Sequence, residues 1–358
     1  MSGPVLMALA PLDPATWVRR RRGSLPFPLA EDGCRLYARA RHGLWHGLRA
    51  LGIGEGDEVL APAYHHGSEI EALERTGAKC VFYEPGQRLE PDTAELEPLL
   101  GERTRALHLV HHLGFPQDAA RWRRWCDARG LALVEDAAQA WLARVDGRPA
   151  GSFGDLAIFC LYKSFGLPDG GASLCRAGVA APPGHGRLGG VGLGLEHAAW
   201  LAGRSPPAGA LATRLRPPRR YDPAADFALG TPRPPSAATL LALRRVAEPA
   251  AAERRRANYE LLLDRLADVV HPSFAVLAGG ACPLVLPIAT GRKPALLRSL
   301  RAAGIRALDL WSVPHPALPQ GRFPRAAALR RSLVGLPVHQ ELRRRDLERI
   351  AAEVRAAW

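Results

Sequence analysis

LALVEDAAQAWLARVDGRPAGSFGDLAIFCLYKSFGLPDGG, residues 131–171, is the stretch on which the reading of this chain turns. Its first apolar run, residues 131–135, reads as a buried strand that delivers Asp136. A second apolar run, residues 156–162, reads as another strand and delivers Lys163. An acid and an amine thus stand at the exits of two core strands, and a Gly-rich turn follows the amine.

Lys163 also stands out by scarcity. The chain has 48 basic residues, yet its lysines are Lys79, Lys163 and Lys293 alone. Arginine replaces a solvated lysine readily, but it does not replace an imine-forming amine, because it stays charged. Lys79 is expected at the start of a strand and Lys293 in the polar turn TGRKP. Lys163 is the one at a strand exit. A lysine and a carboxylate so placed suit pyridoxal phosphate (PLP): the amine forms a Schiff base with the aldehyde and the acid holds the ring nitrogen protonated. An ordinary surface lysine is the competing reading.

Outward from this stretch, strands and helices alternate. Strands are expected at residues 58–61, 79–83 and 105–110. Helices are expected at 35–51, 68–76, 93–100 and 119–129. Repeated units of this length predict an α/β fold with a mostly parallel central sheet flanked by helices, and ligands of such sheets bind at the carboxyl ends of the strands. A long helical stretch is expected over 236–267 with a break at Pro249. A strand at 282–288, a helix at 293–303, a strand at 305–310 and a final helix at 343–358 then make a smaller α+β unit. The organisation expected is an arm over 1–30, a large cofactor-binding domain over 31–204, a Pro-rich linker over 205–235 and a small domain over 236–358.

Composition narrows the function classes. The 358 residues are 47% hydrophobic and 23% charged, which fits a globular chain rather than a disordered one. The net charge of +13 is spread along the chain, and aromatics are 6%. A nucleic-acid groove would concentrate basic residues with stacking rings, so no nucleic-acid partner is expected. No run of eighteen apolar residues exists, so no membrane span is expected. The short apolar N-terminal stretch precedes the arginines at 19–22, the reverse of a secretory signal. The six cysteines form no CxxC pair, which argues against zinc and fits a reducing cytoplasm. GHGRLG, residues 184–189, matches GxGxxG formally, but no strand leads into it and no acid follows at the required distance; a loop is the better reading.

Several motifs now bear on family. LRALGIGEGDEVLAPAY (48–64), VHHLGFPQD (110–118), VEDAAQA (134–140), GSFGD (151–155), DGG (169–171) and LVGLPVHQEL (333–342) occur in this order. Together they resemble the DegT/DnrJ/StrS-type aminotransferases, PLP enzymes of the aspartate-aminotransferase fold. The resemblance implies Lys163 as the Schiff-base lysine, Asp136 on the ring nitrogen and Gln139 near the ring hydroxyl. His66 falls where the family stacks an aromatic residue on the ring, and Cys160 where it has a phosphate-binding serine. His111 matches a family histidine. Trp311 and His315 fall where acceptor contacts lie, with ordinary packing as the alternative. The resemblance also implies a homodimer with shared sites, although residues 227–235 lack the family's interface asparagine.

The phosphate cup departs from the pattern. Where the family reads SGTAA, this chain has Arg39, Ala40, Arg41, His42 and Gly43. Arg41, with His42 beside it, is expected to supply a charged clamp; solvated helix positions are the alternative. The reaction implied is transfer of an amino group from an amino acid, glutamate or glutamine, to a keto or aldehyde acceptor such as a sugar nucleotide. A different PLP reaction, such as elimination, and a catalytically lapsed binding protein are the rivals.

Overall fold

The computed structural model describes residues 5–11, 24–183 and 222–358. The arginine run at 19–22, the glycine-rich stretch at 184–194 and residues 205–221 of the Pro-rich segment lie outside these. The strands are β1 (Leu6–Met7), β2 (Cys34–Tyr37), β3 (Glu58–Pro62), β4 (Lys79–Tyr83), β5 (Thr104–Val110), β6 (Ala132–Asp136), β7 (Arg144–Val145), β8 (Arg148–Pro149), β9 (Leu156–Cys160), β10 (Gly171–Cys175), β11 (Val285–Ala289), β12 (Ile305–Arg306), β13 (Leu308–Asp309) and β14 (Leu333–Pro337). The helices are α1 (Ala40–Ala50), α2 (Ser68–Glu74), α3 (Thr93–Leu96), α4 (Ala119–Asp127), α5 (Leu161–Ser164), α6 (Pro223–Phe227), α7 (Ala237–Val246), α8 (Ala251–Leu266), α9 (Lys293–Ala302), α10 (Pro324–Ser332) and α11 (Arg344–Ala357).

Seven strands form the main sheet in the order β2-β10-β9-β6-β5-β3-β4. The five from β9 to β4 run parallel, and β10 is antiparallel to both its neighbours. The strands are apolar on both faces because helices cover both. A second sheet, β11-β14-β13, is antiparallel. Near it β1 pairs in parallel with β12, so part of the expected arm docks on C-terminal structure.

The helix expected over 35–51 begins only at Ala40. Residues 34–37 form an edge strand instead, with Tyr37 buried and pairing Gly171. Helix α1 then presents Leu44 and Leu48 inward, and Gly47 lets it seat on the sheet: a Cβ there would come within 2.3 Å of Leu156 Cδ1. Gly171 does the same at the start of α1, where a Cβ would lie 2.2 Å from the Ala40 nitrogen. These glycines bring the start of α1 against the end of β9, where Lys163 follows. The expected break at Pro249 separates α7 from α8, and the strand expected over 305–310 is split into β12 and β13.

Candidate active site

Side chains alternate along a strand, so register decides which groups can meet. Val110 pairs with Asp136, His108 with Val134, and Asp136 with Ile158. One face of the sheet therefore carries His108, Asp136, Ile158 and Cys160, and the other carries His111 and Glu135. A cleft opens on the first face. Asp136, Gln139, Cys160 and Lys163 line it from the carboxyl ends of β6 and β9, His66 and Glu69 from beyond β3, and Arg39 and Arg41 from the start of α1.

Asp136 is buried, and its Oδ1 accepts the Ala138 N–H at 2.8 Å. Gln139 Oε1 accepts the Leu113 N–H at 2.9 Å, which leaves its amide N–H groups for the cleft. His66 Nε2 donates to Asp226 Oδ2 at 3.1 Å, with its ring edge-on to Phe227 and Trp311. Lys163 sits in α5, one turn of helix past the strand. Burial works against its charge, but Cys160, Tyr162, Asp136 and Glu69 outweigh it, and its pKa is raised. Glu69 accepts the N–H groups of His66 and Gly67; burial opposes its charge, but the neighbouring His66 and His65 hold its carboxyl well below the usual range.

The turn that carries Lys163 is tied from both sides. Arg255, buried in α8, donates to the Ser164 carbonyl at 2.7 Å, and Gln340 Nε2 donates to the same oxygen at 3.1 Å. At the other end of the loop Asp169 accepts the Ser236 N–H at 3.0 Å, Ser236 Oγ at 3.0 Å and Thr239 Oγ1 at 2.5 Å. Sequence reading found neither tie. Asp169→Ala leaves the buried Ser236 N–H unpaired, at about 1–3 kcal/mol, while Thr239 Oγ1 keeps the Asp169 backbone carbonyl and Ser236 Oγ keeps Thr239 Oγ1. Urea unfolding is expected to show a loss of at least that size, and Asp169→Asn a smaller one.

Other expected contacts lie elsewhere. His111 is on the opposite face, fully buried: Nδ1 accepts the Gln117 N–H at 2.9 Å and Nε2 donates to Glu135 at 3.1 Å. Glu135 also accepts backbone N–H groups of Gly151, Phe153 and Gly154, so the GSFGD motif is a turn wrapped round a core carboxylate. His42 points at the Leu229 carbonyl and not into the cleft; burial pushes its pKa down to about 4. His315 is spent on Glu71 at 3.1 Å. Arg41 lines the cleft, but its Nη1 donates to the carbonyls of Asp226, Phe227 and Ala228 and so holds α6 at the mouth. Arg39, whose guanidinium lies 4.9 Å from the Tyr162 ring, and the uncapped start of α1 are the remaining cationic features at that end.

The DegT/DnrJ/EryC1/StrS aminotransferase family model matches residues 37–178. The dTDP-3-amino-3,4,6-trideoxy-alpha-D-glucose transaminase of Streptomyces venezuelae is 32% identical over 331 residues, covering 86% of this chain and 78% of that protein. The chain belongs to this family. It is a PLP-dependent aminotransferase. EryC1 of Saccharopolyspora erythraea is 43% identical over 129 residues, 35% of each protein. The solved structure of S. venezuelae DesV in complex with a ketimine intermediate superposes with a TM-score of 0.66 at 28% identity, over 90% of this chain and 84% of that one. NtdA of Bacillus subtilis with bound cofactor PMP, at 14% identity and a TM-score of 0.65 over 90% and 73% of the chains, shares the fold.

The cleft of this aminotransferase fits the cofactor. It sets a carboxylate and an amine at neighbouring strand ends, an amide with free N–H groups above them, and a guanidinium beside an uncapped helix start for a phosphate. A larger cavity shares His66, Gln139 and Lys163 with the cleft and extends to Trp311. Trp311 holds a left-handed backbone (φ 59°), and Arg330 donates to its carbonyl at 2.9 Å. Arg330 also donates to the carbonyls of His65 and Ala63 and so ties the Trp311 loop to the end of β3. Lys293, expected in a polar turn, is instead buried at the start of α9, where Nζ meets Asp309 and the Arg330 carbonyl, each at 2.6 Å.

Two further histidines of the enzyme set a pH limit. Burial pushes His112 down to about 4, against the favourable Tyr64 carbonyl. Burial, with the charge of Arg255, pushes His339 down to about 3. The unfolded chain takes up these protons near pH 6.5 and the folded one does not, so stability present above that pH is lost as pH falls toward 4. For His112 the loss amounts to roughly 3 kcal/mol. Urea unfolding across pH 7.5 to 4.5 is expected to show this decline. His339→Gln, which keeps a donor for the Met7 carbonyl, is expected to flatten it by about one proton.

Proposed function

We propose that this aminotransferase moves an amino group from glutamate or glutamine to the carbonyl carbon of a sugar nucleotide. The observation that carries the reading is the convergence of Lys163 and Asp136 in one cleft that opens into the cavity beside Trp311. Bound PLP supplies an electron sink for charge left at the carbon that loses its proton. Asp136 holds a proton on the ring nitrogen. Gln139 donates toward the ring oxygen. Lys163, once its amine is free and neutral, takes the proton from the substrate carbon and returns it as the acceptor is aminated. Arg39 and the start of α1 hold the phosphate, and His66 covers the ring. The acceptor sits against Trp311. Relatives that are transaminases of dTDP- and UDP-linked sugars support the acceptor class.

The proposal includes a homodimer. Leu240 and Leu241 are exposed on α7, the helix that ties the lysine loop, and offer an apolar patch beside the site. Light scattering tests this. A cytoplasmic location is proposed with it: all six cysteines are unpaired, as a reducing compartment keeps them.

The deciding experiment is the visible absorbance of the protein with PLP before and after glutamate, followed by mass detection of product from a sugar-nucleotide panel. A bound-cofactor band that shifts with glutamate is expected. A protein that takes up no PLP overturns the reading.

A further inference from the structure

His108 is a buried titratable group that the mechanism above does not use. It lies within β5 on the cofactor face, fully buried, and neither ring nitrogen has a hydrogen-bond partner. Leaving such a group unpaired is costly, and an aliphatic side chain like its neighbours Leu107 and Leu109 would avoid that. Its Nε2 stands 3.5 Å from Asp136 Oδ2. A shift of about half an ångström closes that gap to a hydrogen bond. Asp136 can accept it: Oδ1 is used by Ala138, and Oδ2 has lone pairs for both a ring nitrogen and an imidazole. Glu69 from α2 and His112 beyond β5 are the other titratable groups that sense His108.

We propose that His108 is a positioning residue for amino transfer, donating Nε2–H to Asp136 Oδ2 and so keeping that carboxylate aimed at the ring nitrogen of the bound cofactor. The inference rests on Asp136 being the partner of that nitrogen. A hydrogen bond to a carboxylate favours its charged form, and a fixed carboxylate holds a ring proton better than a mobile one. The orphaned imidazole thereby gains a function that a packing residue in its place would lack.

The test uses the PLP-loaded protein and His108→Leu, His108→Gln, Asp136→Asn and the Leu/Asn double variant. The expected result is that His108→Leu folds with an unfolding midpoint at or above wild type. It slows the glutamate half-reaction and weakens PLP binding, each by about tenfold, the size of one hydrogen bond to a charged group. His108→Gln, which keeps a donor, recovers most of both. Adding His108→Leu to Asp136→Asn causes no further loss. A PLP analogue with carbon in place of the ring nitrogen binds the wild type and His108→Leu alike. If His108→Leu stays within twofold of wild type while Asp136→Asn is impaired, the role of His108 is overturned and that of Asp136 stands. If Asp136→Asn is also unimpaired, the reading of Asp136 fails and the inference with it.

Discussion

Lys163→Ala is expected to lower kcat by on the order of 10⁴-fold, the loss of a positioned acid-base group, with the unfolding midpoint unchanged. No other amine can take over. Lys79 starts β4, at the end of the sheet away from the cleft, and is exposed. Lys293 is held by Asp309 and the Arg330 carbonyl. Arginine is no substitute either, because a guanidinium stays protonated. Lys163→Arg should therefore be as inactive as the alanine variant while preserving the positive charge that Asp136 and Glu69 favour. Single-turnover absorbance after glutamate checks both variants. A small added amine is expected to restore part of the Lys163→Ala rate by supplying the missing base. Turnover by Lys163→Ala within tenfold of wild type would remove Lys163 from the mechanism.

The residues named from sequence differ in how they fared, and register explains much of the difference. Asp136 and Lys163 were legible because each ends an apolar run, and the parallel sheet puts such ends on one edge. His111 was legible as a strand-end residue, but edge alone does not give the face. One residue past Val110, it points with Glu135 into the far layer, and His108 is the histidine on the side of Asp136. Counting in twos from Asp136 across the pairing would have found it, had the register been known. The helix expected from residue 35 absorbed β2 because Leu36 fits both periods. The acceptor contacts expected at Trp311 and His315 split for another reason. Both sit in a loop, where no periodicity constrains direction; Trp311 reaches the cavity, and Glu71 draws His315 away.

Charge was the least legible property. Arg255 is the middle of three consecutive arginines, 254–256, yet it is 2% exposed and reaches from α8 to Gln340 and the lysine turn. Its hydrogen bonds go to neutral oxygens: Gln340 Oε1 at 2.8 Å, the Pro283 carbonyl at 3.3 Å and the Ser164 carbonyl at 2.7 Å. Burial lowers its pKa, and the bonds offset part of the cost of keeping the charge.

Arg255→Ala should therefore act on two quantities at once. It opens a cavity and leaves the Pro283 carbonyl unpaired and the Ser164 carbonyl with Gln340 alone, a loss of about 2–4 kcal/mol in urea unfolding. It also loosens the turn that aims Lys163, so kcat falls by about tenfold or more while KM for glutamate changes little. Arg255→Met separates the effects. The methionine fills most of the volume without a buried charge, so stability recovers most of the way, but the Ser164 carbonyl still lacks its charged donor and kcat stays low. A methionine variant with wild-type kcat would show that Arg255 only fills space. One with low kcat and near-normal stability would place Arg255 in the support of Lys163, a role that its sequence context, three consecutive arginines, gives no reason to expect.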